Sequence, residues 1–125
     1  MRMPLVAVEK NNHGHAVLLE LKEHIKYPRL FVPEGKKDPG WITDRVTRPI
    51  MIDTFIDGVE NGTISLLNHD TILECLTLIN NNGKIEAASG KHDDCIMGTS
   101  IAIQLIAIEA KLDIYDNIKS KIRMG

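Results

Sequence analysis

Residues 96–108 present apolar side chains on nearly every side of a helix: Ile96, Met97, Ile101, Ile103, Leu105, Ile106 and Ile108. A helix that is apolar all round is one that packs on more than one side. This segment constrains the chain more than any other, because the rest of the fold is expected to form against it. The helix is predicted to open near His92-Asp93-Asp94 and to run to about Lys111. Gly98 and Ala102, four residues apart, would let it approach a sheet closely.

The segments ahead of it alternate between strand-like and helix-like runs. Leu5-Val6-Ala7-Val8 stops abruptly at Glu9, the length and boundary of a buried strand. Asn11-Asn12-His13-Gly14 turns the chain, with asparagines suited to capping a helix whose apolar stripe is Val17, Leu18, Leu21 and Ile25. Arg29-Leu30-Phe31-Val32 reads as a second strand, and residues 33–40 (Pro-Glu-Gly-Lys-Lys-Asp-Pro-Gly) as the clearest loop. Thr47 is placed to cap a helix with Pro49 in its first turn. Ile52, Phe55, Ile56 and Val59 line that helix, and Gly62 stops it.

Ile64-Ser65-Leu66-Leu67 reads as a short strand. Thr71 and Glu74 have the spacing of a capping box, ahead of a stripe formed by Ile72, Leu76 and Ile79. Residues 80–83 form a turn and 84–88 an edge strand. The polar residues 113–125 read as a C-terminal tail, a surface helix or frayed end, beyond a domain spanning 1–112. The alternation predicts a layered α/β domain with helices on both faces of a sheet.

Composition limits the function classes. At 125 residues the chain fits one domain able to bury a core. With 43% hydrophobic and 26% charged residues it is not a disordered segment. No uninterrupted apolar run reaches the ~18 residues of a membrane span. Met1-Arg2-Met3-Pro4 lacks the layout of a signal peptide, so no membrane partner is expected. Cys75 and Cys95 lack metal-ligand spacing and read as core thiols of a reducing cytoplasm.

A net charge of −2 is not the basic excess of a protein that coats nucleic acid, so any DNA contact must come from a local patch. The sequence has no G-x-x-x-x-G-K-[ST] P-loop, hence no ATPase motor of its own. No local pattern supports a Ser–His–Asp or Cys–His triad.

The residues able to carry chemistry are carboxylates. Glu9 ends an apolar strand-like run, and in open α/β sheets sites lie at the carboxyl ends of strands. Asp93 and Asp94 lead directly into the most apolar helix, which would fix their place. Acids at a helix N-terminus also serve as caps, and that is the structural alternative for this pair. Hard cations want oxygen ligands from separate elements. Two such ions about 4 Å apart activate a water and stabilise the leaving oxygen in phosphodiester hydrolysis. Of the histidines, His92 adjoins the acids, whereas His13 and His15 at i, i+2 do not share a helix face. Arg48 and Lys91 are candidates for phosphate contact.

Taken in order, these features resemble a known family. Val8-Glu9-Lys10-Asn11-Asn12-His13-Gly14 resembles the V-E-x-N-x-x-G segment of the nuclease domain of tailed-phage terminase large subunits. Gly40-Trp41-Ile42-Thr43, followed by Thr47-Arg48-Pro49 and a helix, resembles their G-[aromatic]-x-T…[TK]-R segment. Gly90-Lys91-His92-Asp93-Asp94 resembles their G-x-H-D-D segment.

The resemblance implies an RNase H-like α/β nuclease fold, N-terminally incomplete, that cuts concatemeric double-stranded DNA with Mg²⁺ or Mn²⁺ at a two-metal site. It implies acidic ligands from three elements, mapping the second onto Glu9 and the third onto Asp93 and Asp94, with His92 in support. Arg48 and Lys91 would meet the DNA backbone. The first acid would be an Asp on a strand upstream of Glu9. The implied partners are DNA, the terminase ATPase domain, the small terminase subunit and the portal, in the host cytoplasm. The alternative is a non-catalytic terminase remnant that binds DNA or a packaging partner without cutting.

Overall fold

The Asn11 side chain accepts a hydrogen bond from the Gly14 amide at 2.7 Å and opens helix α1, Asn12–Leu19, as its sequence predicts. The computed structural model describes residues 3–124, without the side chains of residues 12, 112–115 and 124. The chain divides into two units, Met1–Arg48 and Pro49–Gly125. With 52% helix and a two-stranded antiparallel sheet it is a mixed α/β protein.

In the first unit, the run ending at Glu9 forms single parallel bridges, Val6 with Leu30 and Glu9 with Trp41. Val6 bonds to Arg29 and Phe31, and Val8 and Lys10 both bond to Trp41. Residues two apart on an extended chain direct their amides to the same side, so one edge of this run pairs first with Leu30 and then with Trp41. The partner segment is interrupted by the expected loop, whose ends close where the Gly40 amide donates to the Phe31 carbonyl at 3.0 Å. That interruption explains why the two predicted strands meet only as bridges.

The rings of Phe31 and Trp41 lie 5.6 Å apart. Gly40, at φ 135°, fits because a Cβ there would lie 3.1 Å from Leu18 and 3.3 Å from Lys10. After Leu19 the helix widens into a π-helical turn, Glu20–His24. Of its predicted apolar stripe only Leu18 is buried, while Val17 and Ile25 are exposed.

Helix α2, Thr47–Glu60, is capped by Asp44 and not by Thr47. The Asp44 carboxylate accepts from the amides of Val46 and Thr47, both at 2.8 Å, and the Thr47 hydroxyl accepts from the Asp44 amide at 2.9 Å. This reciprocal box places the cap three residues earlier than the sequence reading. The bonds from Thr47 and Val46 hold the Asp44 carboxyl below its ordinary pKa. A depressed folded pKa contributes stability that is present above the unfolded pKa and lost as pH falls through the folded one. The melting-temperature gap between wild type and Asp44→Ala is therefore expected to be full above about pH 5 and to narrow below about pH 4. A gap independent of pH from 3 to 7, measured by circular dichroism, would contradict the box.

In the second unit, Met51, Ile52 and Phe55 of α2 are buried, and Gly62 at φ 75° ends the helix. The predicted strand at residues 64–67 is absent. Ile64 instead bonds back to the Gly58 carbonyl at 3.0 Å and lays its side chain where a Gly58 Cβ would be. Asn68 caps helix α3, His69–Leu76, by accepting from the Thr71 amide at 3.0 Å, so the predicted Thr71–Glu74 box does not form.

Strands β1, Leu78–Asn81, and β2, Lys84–Ala87, pair as an antiparallel hairpin. Its turn residues, Asn82 and Gly83, both have positive φ, as a two-residue turn of type I′ requires. Ile79, assigned from sequence to a helical stripe, belongs to β1.

Helix α4, Asp94–Met124, starts where expected but continues beyond Lys111. Ile96, Met97, Ser100, Ile101 and Leu105 are buried, whereas Ile106 is 70% exposed. The helix is thus covered on one side and not all round. Gly98 is exposed, and a Cβ added there would meet nothing within 4 Å, so no sheet lies against it. By length and composition alone the stretch 94–123 suffices to cross a membrane, and only 24% of its most apolar part is buried.

Candidate functional site

Glu9, in the first unit, is held by its backbone more than by its side chain. A Cβ on Gly14 would sit 1.8 Å from the Glu9 carbonyl oxygen, so α1 approaches Glu9 as only glycine permits. The amide of Asn11 donates to the same carbonyl at 2.9 Å. The Asn11 side-chain amide lies 3.4 Å from a Glu9 carboxylate oxygen, which leaves that carboxylate largely available. The three lettered positions of the Glu9–Asn11–Gly14 segment thus have separate physical tasks: an acid, a helix cap and a close approach.

Asp93 and Asp94, in the second unit, stand at the start of α4. The Asp93 carbonyl accepts from the Met97 amide at 2.9 Å, the first bond of the helix, which makes Asp93 the N-cap residue. An N-cap side chain normally accepts from the second or third helical amide. Here those amides, Cys95 and Ile96, donate instead to the Glu74 carboxylate of α3, at 2.8 and 3.0 Å from Cys95 and 3.3 Å from Ile96. The cap comes from another helix. Asp93 is half-buried and Asp94 exposed, and neither is needed for those two amides.

Glu74 was legible only as the last residue of a capping box. Its real partner lies 21 residues away, beyond any local pattern. Its carboxylate also takes a hydrogen bond from the Cys95 thiol, which, with burial and the Glu74 charge, raises the Cys95 pKa. Burial, followed by the charge of Glu74, raises that of Cys75. Both thiols are free and stay protonated near neutrality, as expected of structural rather than nucleophilic cysteines.

Lys91 and His92 are exposed and line an open groove of about 630 Å³ with Asp70, Leu73, Glu74 and Leu76. Gly90, at φ 76°, turns the chain into this segment. Arg48, the last residue of the first unit, is half-buried, and its amide donates to the Asp44 carbonyl at 3.0 Å. Within either unit, among the described residues, no three His, Cys, Asp or Glu side chains form a group able to hold a metal ion.

The donor chemistry nonetheless suits a hard cation. Asp93 and Asp94 offer only oxygen, and Mg²⁺ is commonly held by one or two carboxylates, completing its shell with water and substrate phosphate. In comparisons with known proteins, no family model, curated protein or solved structure matches this chain.

Proposed function

We propose that the chain is the metal-dependent endonuclease module of a DNA-packaging terminase large subunit, with an RNase H-like arrangement. Glu9, Asp93 and Asp94 hold Mg²⁺ or Mn²⁺, with His92 in support, and Arg48 and Lys91 meet the DNA backbone. The observation that carries this reading is the cap supplied by Glu74. Two adjacent acids at a helix N-terminus are most simply caps, but the second and third amides of this helix are held by Glu74. The Gly14 contact adds support, since it ties Glu9 to the glycine of the same motif.

When bound, the metal would activate a water and stabilise the leaving oxygen. The chain's own residues would bind and orient. Asp93 and Asp94 present negative oxygen from the start of α4, and Lys91 brings a positive charge for phosphate on the preceding turn.

A ligand present at tenfold its Kd stabilises the fold by ~1.4 kcal/mol, which is several degrees of Tm for a domain of this size. Millimolar Mn²⁺ is expected to raise the melting temperature of wild type by that amount and that of Asp94→Asn by much less. An equal rise in both would contradict the assignment. Plasmid nicking in the same buffer sorts the two roles. A Mn²⁺ shift without nicking would make the chain a DNA-packaging relative that binds but does not cut.

A further inference from the structure

We propose that the chain pairs with a second copy of itself through α4: the basic, amphipathic end of each α4 docks in the groove beside the other copy's α3. This pairing does not depend on the metal-binding reading above.

Helix α3 turns its polar side inward and its apolar side outward. Thr71 is buried with its hydroxyl on the Asn68 side chain, and Glu74 reaches the first amides of α4. Ile72, Leu73 and Leu76 are exposed, Leu76 by 76%. A surface helix ordinarily buries its apolar stripe, and apolar patches left outside mark surfaces that meet a partner. Leu73 and Leu76 line the open groove of about 630 Å³ that Lys91 and His92 close at the start of α4. Carboxylates of Asp70 and Glu74 in its lining, and of Asp93 and Asp94 just beyond it, outnumber Lys91. The groove is therefore apolar at its wall and acidic at its edge.

The far end of α4 has the complementary character. Residues 116–123 are exposed throughout. Ile118 and Ile122 stand one turn apart on the same face, with Ile122 72% exposed. Residues 117–124 carry Lys119, Lys121 and Arg123 and no acid. An apolar face flanked by positive charge thus matches an apolar groove edged with negative charge. The two cannot meet within one copy. Helix α4 is continuous over 31 residues, and at about 1.5 Å per residue it holds Ile118 and Ile122 roughly 36–42 Å from Asp94. The occupant that fits is the same segment of a second copy. A two-fold axis makes the exchange reciprocal, with the two α4 helices antiparallel and the contact closed, not propagating.

Sedimentation equilibrium of the full chain in EDTA tests this without any metal, so the pairing and the metal reading fail separately. Wild type is expected to be a dimer. Leu76→Asp, in the groove, and Ile122→Asp, in the tail, are each expected to weaken association at least about tenfold, because each would bury an unpaired charge. Both side chains are exposed in the single copy, so circular dichroism should be unchanged. Mixed in equal amounts, the two variants keep one intact groove–tail contact and are expected to associate more tightly than either alone. Raising sodium chloride is expected to weaken the wild-type dimer, since opposite charges are screened.

A monomeric wild type overturns the proposal. If that monomer instead binds vesicles of phosphatidylcholine and phosphatidylserine, the basic end of α4 is a lipid contact. Association lost in Ile122→Asp but kept in Leu76→Asp would overturn it too, by showing that tails pair with tails. A mixture no tighter than its two components, or a dimer indifferent to salt, would contradict the docking of tail in groove.

Discussion

Gly14→Ala is expected to destabilise the protein, against the ordinary direction for that substitution in a helix. Helix propensity alone favours alanine over glycine by about 1 kcal/mol. Gly14 lies three residues beyond its N-cap and has no positive φ to protect, so propensity would apply in full if space allowed. Space does not allow it. The new Cβ would fall 1.8 Å from the Glu9 carbonyl oxygen and 3.0 Å from its carbon, and both are backbone atoms that no rotamer change can move. Forcing a methyl group into a packed contact typically costs about 1–3 kcal/mol, and here the contact is closer than usual. The net expectation is a loss of roughly 1–2 kcal/mol or more, with the Glu9 segment displaced from Trp41, to which its neighbours Val8 and Lys10 are bonded. Urea denaturation monitored by Trp41 fluorescence measures both effects. A Gly14→Ala variant as stable as wild type would show that α1 does not pack onto Glu9 in this way.

The second large effect concerns Asp94. Replacing Asp94 with Asn removes one charge from an exposed side chain at the first position of α4. As a helix-terminal charge it contributes below about 1 kcal/mol to stability. As a metal ligand it contributes much more to affinity, because losing even an outer-shell partner weakens binding by about tenfold or more. The variant is therefore expected to keep its fold and lose its Mn²⁺ response. Stability and affinity should separate. If the acids were caps, stability would change and any ion response would not.

Some of this was legible in the sequence. The Asn11 cap followed from an asparagine ahead of an apolar-periodic run, and the start of α4 at Asp94 followed from the acids preceding an apolar segment. The hairpin turn at Asn82-Gly83 was readable in kind, but β1 was missed because Ile79 also extends the helical stripe of Ile72 and Leu76. A short apolar run satisfies both periods until its partner is known.

The cap of α2 was misplaced because Asp44 and Thr47 bond to each other, and local spacing does not say which one leads. The breadth of burial around α4 was overestimated for a related reason: periodicity reports which faces are apolar, not which are covered, and Ile106 is exposed. Neither the Gly14 contact nor the Glu74 cap has a local signature, since each depends on where a second element lies. Those two contacts bear most directly on the candidate site.

The most direct test of metal binding is where Mn²⁺ goes. In a ¹⁵N-labelled sample with assigned amides, substoichiometric Mn²⁺ broadens the resonances nearest its site. The amides around His92, Asp93, Asp94 and Cys95 are expected to broaden first, and Asp94→Asn is expected to abolish that broadening. Broadening centred elsewhere, such as on the exposed Glu20–His24 turn, or spread evenly over the acidic surface, would contradict that expectation.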